Sequence, residues 1–334
     1  METPTRTHRA ALVALLAASS IVFAGTPAHA LSVPTTSDRF GTAAAVALDL
    51  YPDGADVAIL ASGENYADAL AAAPLADAYG APILLTRSTT LPEVTAAALE
   101  ALSVSDVIIM GGPYAVSTSV HNALELDYQV SRVAGVDRYG TAAAVAGAVF
   151  DDGADVAVLV SGENFADALA AAPLAWGYDA PILLTGSTTL PAATEAALEG
   201  LEVADVIVVG GSAAVSTDIS NALESDYQVS RIAGADRFET AAMVAAEAFP
   251  DGTDIAVLVS GEGFADALAA GPLANGYYAP ILLTRQGMLP EATATALADA
   301  EVADVLIVGG PAAVGFDVSN ALEIDYQVTR IAGG

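Results

Sequence analysis

A 31-residue segment recurs twice further along this 334-residue chain, and the three copies align without a gap. Residues 56–86, DVAILASGENYADALAAAPLADAYGAPILLT, return as DVAVLVSGENFADALAAAPLAWGYDAPILLT at 155–185 and as DIAVLVSGEGFADALAAGPLANGYYAPILLT at 254–284. The offset is 99 residues throughout, and the first two copies agree at 25 of 31 positions. Such a chain is predicted to make one structural unit three times and to pack the copies on each other.

Within one unit, β-branched runs at 57–61, 82–86, 107–110 and 128–133 read as strands that are apolar on both faces. Ala/Leu-rich stretches at 42–50, 67–79, 92–102 and 118–126 read as helices, with Pro92 in a first turn and Ser117 or Thr118 as a cap. Regular succession of strand, crossover helix and strand predicts an α/β fold with parallel sheets covered by helices on both faces. Each unit is then a small Rossmann-like or Toprim-like layer domain. The repeat phase sets the units at 37–135, 136–234 and 235–334, and no Pro- or Ser-rich linker separates them. Tight packing as a pseudo-threefold intramolecular trimer is expected, with Arg330 reaching toward Asp38 to complete a third junction.

Residues 1–30 read as a signal peptide: Arg6, His8 and Arg9 precede an apolar run at 10–25, and Ala28-His29-Ala30 offers a cleavage site. Residues 31–36 are a short lead-in. The 16-residue apolar run is short for a membrane span, and no later stretch is longer, so a secreted monomer with no membrane span is expected.

Composition removes several kinds of chemistry. The chain has no cysteine, its ten basic residues are all arginine, and its net charge is −31. Without the leader it keeps 40 acidic and 8 basic residues, for a charge of −32, which argues against nucleic acid as a partner. Beyond the leader His121 is the only histidine, with Ser220 and Ser319 at its counterparts. Thiol, Schiff-base and repeated Ser-His-Asp chemistry are excluded, as are zinc sites of the usual His/Cys kind, and no metal site is predicted. His121 reads as an exposed helix residue.

Carboxylates and arginines remain. Ser62-Gly63-Glu64-Asn65-Tyr66-Ala67-Asp68 joins a strand end to a helix start, where open α/β folds place ligands. Asn65 and Asn164 there could meet a polymer's hydroxyl or phosphate groups. Asp68, Asp167 and Asp266 read as structural acids that offset the positive helix end and pair with arginine. A glycosidase carboxylate pair is the catalytic alternative. Gly111-Gly112, Gly210-Gly211 and Gly309-Gly310 fit tight turns, with no dinucleotide fingerprint or phosphate-binding loop. All eight arginines past the leader occupy repeated positions: Arg39, Arg138 and Arg237; Arg132, Arg231 and Arg330; and Arg87 with Arg285, where the middle copy has Gly186. The first two sets flank the unit boundaries. Clamping by Arg–Asp pairs and recognition of an acidic glycopolymer both explain them.

The pattern R-[VI]-A-G-x-D-R-[YF]-x-T-A at 132–142 and 231–241, followed by S-G-E-N-[YF]-A-D-A-L-A, P-I-L-L-T and V-[IV]-[IV]-[MV]-G-G, resembles the cell wall binding repeat 2 family across 37–334. The resemblance implies three Rossmann- or Toprim-like units packed as a pseudo-trimer, holding surface proteins noncovalently on Gram-positive walls through anionic polymers. It also implies an anchoring role for Pro82, Ile83, Leu84 and Leu85, for Pro181, Ile182, Leu183 and Leu184, and for Pro280, Ile281, Leu282 and Leu283. By their own chemistry these segments read as buried strands. Two departures stand out: Gly263 replaces Asn65 and Asn164, and Glu239 replaces Gly41 and Gly140. Many relatives carry a further catalytic or adhesive domain; this sequence reads as a bare binding module.

The expected function is therefore non-catalytic attachment to an anionic cell-wall polysaccharide or teichoic-acid-like polymer at the repeat junctions. Arginines or a bridging divalent cation would carry it, with no other cofactor. A wall hydrolase (amidase or glycosidase) or its modifier, and a self-assembling surface-layer component, are the alternatives.

Overall fold

The computed structural model describes residues 33–333 apart from residues 35, 67 and 265. The signal peptide read at 1–30 lies outside them, as does the first residue of the helix expected at 67–79.

The first unit opens with α1 (Arg39–Leu50), capped by the Asp38 carboxylate, which accepts from the backbone N–H of Phe40 and of Gly41. Then come β1 (Val57–Ser62), α2 (Ala72–Tyr79), β2 (Ile83–Thr86), α3 (Glu93–Ala101), β3 (Asp106–Met110), α4 (Thr118–Leu124) and β4 (Gln129–Val133). The second unit repeats this as α5 (Arg138–Val149), β5 (Val156–Ser161), α6 (Phe165–Tyr178), β6 (Ile182–Thr185), α7 (Ala192–Gly200), β7 (Asp205–Val209), α8 (Thr217–Leu223) and β8 (Gln228–Ile232). The third has α9 (Arg237–Ala248), β9 (Ile255–Ser260), α10 (Ala270–Gly276), β10 (Ile281–Thr284), α11 (Glu291–Asp299), β11 (Asp304–Val308), α12 (Phe316–Leu322) and β12 (Gln327–Ile331).

Each unit holds one four-stranded parallel sheet, ordered β2-β1-β3-β4 in the first and equivalently in the others. The two inner strands are apolar on both faces because helices cover both, and Ala58, Ile59, Leu60 and Ile109 are fully buried. The fourth strand departs from expectation. It pairs only with β3, and Gln129 and Ser131 face solvent, so β4 is a half-exposed edge. Two helices also differ in detail. Pro92 stands at the cap of α3, one place before the first turn, in extended backbone. The helix expected at 67–79 is divided into a 3-10 turn at Ala69–Ala71 and α2, whereas its equivalent α6 runs unbroken through Pro173, the counterpart of Pro74.

The first helix of each unit packs on the central helix of the unit before it: α5 on α2, α9 on α6. α1 packs in the same way on α10 and the 3-10 turn Ala267–Ala269, so the ring closes. At its centre α2, α6 and α10 touch one another. A Cβ added to Gly271 would come 3.0 Å from the Cβ of Ala73 and 3.6 Å from that of Ala172, its two repeat equivalents. Small residues let three backbones approach one axis.

The junction turns show why R-x-A-G-x-D-R recurs. The Gly135 N–H donates to Thr141 Oγ1 at 3.1 Å and the Gly234 N–H to Thr240 Oγ1 at 3.1 Å. At the third junction the Gly333 N–H donates to Thr42 Oγ1 at 3.4 Å. A Cβ on Gly135 would lie 2.1 Å from the carbonyl carbon of Gly140, which excludes any other residue without backbone movement. Arg330 does not reach Asp38 as expected. Its side chain turns back within its own unit to the carbonyl of Gly309 at 2.8 Å, while Asp38 is engaged in capping α1.

Candidate functional site at the repeat junctions

The loop after β1 brings the units together. Ser62 Oγ accepts from the backbone N–H groups of Glu64 and Asn65, and Ser260 Oγ from those of Glu262 and Gly263. These turns deliver Tyr66, Phe165 and Phe264, one from each unit, to a common point. Their ring centroids stand 5.8, 5.1 and 6.0 Å apart, with the planes inclined at 59° to 62°. The Tyr66 hydroxyl donates to the Glu163 carbonyl oxygen at 2.9 Å, across the first junction.

Arg39, Arg138 and Arg237 frame this hub. The Arg39 guanidinium stacks on Phe264 of the third unit at 5.6 Å, and that of Arg237 on Phe165 of the second at 5.7 Å. Each of the three also donates through Nη1 to a carbonyl of its own unit: Gly63, Gly162 and Gly261. Arg39 and Arg237 thus reach across junctions by stacking, while the carbonyl bonds tie all three arginines to their own units. Among the described residues no arginine forms an ion pair with an aspartate, because Asp38, Asp137 and Asp236 cap the helices that these arginines begin.

The second arginine set lies within units. Arg132 and Arg231 donate to the carbonyls of Gly111 and Gly210 at 2.5 and 2.7 Å, as Arg330 does to Gly309. Partial burial lowers the pKa of all three guanidiniums. The glycines they hold have φ of +87°, +113° and +115°, which fits the tight turns expected. Asp68, Asp167 and Asp266 press against those same glycines. A Cβ at Gly111 would meet Asp68 Oδ2 at 2.6 Å, and one at Gly210 would meet Asp167 Oδ2 at 2.7 Å. Among the described residues none of the three forms an ion pair with an arginine. Asp167 is only 5% exposed, and burial raises its pKa to about 6 against a smaller lowering by the Arg237 charge.

Asn164 caps α6, accepting from the Ala166 N–H at 3.5 Å. Asn65 is exposed in the equivalent loop. His121 is half-buried rather than exposed, with Nε2 3.2 Å from the Glu125 carboxylate one turn on. Among the described residues no three His, Asp or Glu side chains come together as a metal ligand set.

The Pro-Ile-Leu-Leu segments form β2, β6 and β10, outer strands whose free edges lie against a neighbouring unit. β10 meets α6, β6 meets the turn Ala69–Ala71, and β2 meets the turn Ala267–Ala269. Leu84, Leu85, Leu183, Leu184 and Leu283 are fully buried. Leu84→Ala is expected to cost about 3 kcal/mol of folding stability, read by urea unfolding, so any loss of binding must be compared at equal folded fraction.

Sequence reasoning singled out neither the aromatic hub nor a pair of tyrosine bonds across the junctions. Tyr178 donates to Glu247 at 2.8 Å and Tyr277 to Asp49 at 3.3 Å; the equivalent of these carboxylates opposite Tyr79 is Ala148. Burial, then the Asp49 carboxylate, pushes the Tyr277 hydroxyl up to about 12. The recurring aromatic after Ser-Gly-Glu-x was the available signal for the hub.

Residues 35–121, 132–220 and 231–319 each match the family described as Cell wall binding domain 2 (CWB2). The chain belongs to this family. It is 33% identical to the N-acetylmuramoyl-L-alanine amidase LytC of Bacillus subtilis (strain 168), over 86% of this chain and 57% of that protein. It is 29% identical to the amidase enhancer of the same organism, over 81% of this chain and 37% of that one. Among solved structures, Cwp6 from Clostridium difficile superposes with a TM-score of 0.78 at 29% identity, covering 83% of this chain and 45% of that one. Cwp8 from the same organism gives 0.76 at 28%, covering 86% and 50%. The chain thus spans about half the length of these relatives, or less. The family places it at the cell wall or cell surface. Among the described residues no helix is long and apolar enough to cross a membrane.

Proposed function

We propose that this chain acts as a monomer that binds an anionic wall polymer noncovalently at its repeat junctions, without catalysis, and so holds its protein at the wall. The supporting observation is the threefold set Arg39, Arg138 and Arg237. Each guanidinium is half-exposed and makes one hydrogen bond to a carbonyl, which leaves further N–H donors for a phosphate or carboxylate. A chain of net charge −31 repels such a polymer at long range, so local donors or a bridging divalent cation must supply the attraction. With no ligand set among the described residues, such a cation would be shared with the polymer.

Retention on purified cell walls tests this. Wild type should be retained, and Arg138→Ala with Arg237→Ala should lose most of that retention while circular dichroism remains unchanged. Loss with rising salt assigns binding to the arginines, and loss on chelation assigns it to a cation. No retention of wild type, with or without added calcium, sinks the proposal. Similarity to an amidase and to an amidase enhancer supports a second reading, in which the chain modifies a wall hydrolase. Zymography of the chain alone and beside an amidase separates the two.

A further inference from the structure

The three units carry the same junction loops with one exchange. In the first, the Arg87 guanidinium lies 4.8 Å from the Phe40 ring centroid, with Nη1 3.8 Å from Glu64 Oε1. In the third, Arg285 lies 4.6 Å from Phe238 and 3.7 Å from Glu262. Both rings are closed off from solvent, at 4% and 3% exposure. The second unit has Tyr139, Glu163 and Gly186 at these positions: the ring and carboxylate are kept, and the cation is missing.

What surrounds the missing arginine is a set of acceptors. The point from which a side chain at Gly186 would leave is bounded by the Thr189 carbonyl oxygen and Oγ1, each at 3.0 Å, and by Glu163 Oε1 at 3.8 Å. That carbonyl already accepts from the Gly186 N–H and from Thr185 Oγ1, each at 3.2 Å, so Thr189 Oγ1 and Glu163 Oε1 are the acceptors that face a ligand. Glu163 Oε2 accepts from the Ser187 N–H at 3.3 Å, which holds the carboxylate in place. Tyr139 is half-exposed and Glu163 is exposed. Arg138 stands beside this ring, but Arg39 and Arg237 flank Phe40 and Phe238 in the same way, and a second guanidinium is accommodated there.

We propose that this loop of the second unit binds a primary ammonium group carried on a sugar, replacing the cation that Arg87 and Arg285 supply to the other two units. The ring face attracts the charge and packs the C–H face of a pyranose, while the Glu163 carboxylate and Thr189 Oγ1 accept its N–H groups. The choice of an amino sugar, rather than a basic side chain of another protein, rests on the wall-binding reading above.

The test titrates the full chain with glucosamine, with N-acetylglucosamine as the uncharged control and arginine amide as the stand-in for a protein side chain. The readout is the backbone amide resonances of Gly186 and Ser187 against those of Ser88 and Gln286. Glucosamine should shift the first two saturably and leave the others still, and N-acetylglucosamine should do neither. Glu163→Gln should weaken the response about tenfold. Gly186→Arg should abolish it, and Arg87→Gly should give Ser88 a response of its own, a gain that misfolding cannot produce. No glucosamine response, an equal response in all three repeats, or one matched by N-acetylglucosamine overturns the proposal, as does stronger binding of arginine amide. Wall retention measured in parallel keeps the two readings apart. Retention without a glucosamine response sinks the amino-sugar site alone, and a response without retention sinks wall anchoring alone.

Discussion

Phe165→Ala is expected to remove about 3 kcal/mol of stability, more than its half-exposed position suggests. The ring contacts Tyr66 of the first unit and Phe264 of the third and lies under the Arg237 guanidinium, so truncation breaks contacts at two junctions at once. Partial burial of the ring accounts for about 2 kcal/mol, and the aromatic and cation contacts for about 1 more. Phe165→Tyr should be close to neutral, since Tyr66 fills the equivalent place in the first unit. Urea unfolding followed by Trp176 fluorescence gives the measurement; Trp176 packs on Tyr278 across the junction between the second and third units, 5.6 Å between centroids. A loss well under 1 kcal/mol would mean that the central helices hold the ring of units together without the hub.

The parts of this architecture that were legible in the sequence are those a single unit encodes. Runs such as residues 57–61 are apolar at every position because helices cover both faces, and the gapless repeat carried that reading into all three sheets. Partnerships between units were not legible. Asp137 beside Arg138 suggests an ion pair, but the aspartate caps its own helix and the arginine turns to a carbonyl of its unit. Likewise β4 reads as a strand apolar on both faces, although Gln129, Ser131 and Arg132 make it more polar than the inner strands; sheet order shows that it is an edge. The amino-sugar proposal lies between these cases. The exchange of Arg87 for Gly186 is visible in the alignment, but the ring and carboxylate that the arginine joins are 47 and 23 residues away from it.

Asp167 should make the protein less stable as pH rises from about 4 to about 6. Burial holds its carboxyl at a pKa of about 6, against 3.8 for the free side chain. Below 3.8 both folded and unfolded chains keep the proton. Between the two values the unfolded chain releases it first, so the native state binds more protons, and stability falls until the native carboxyl also ionises. A rise of about 2 units corresponds to about 3 kcal/mol at neutral pH, with the Arg237 charge already acting to lessen it. Asp167→Asn keeps the shape that presses on Gly210 and removes the charge. It is therefore expected to stabilise the chain by up to about 3 kcal/mol at pH 7, to do little at pH 3.5, and to remove this part of the slope between them. Urea unfolding of wild type and variant at a series of pH values reads the difference directly, and parallel curves would mean that the native carboxylate is already ionised below pH 4. The carboxylate's position against Gly210, at the carboxyl ends of β5 and β7, places its cost where open parallel sheets bind ligands.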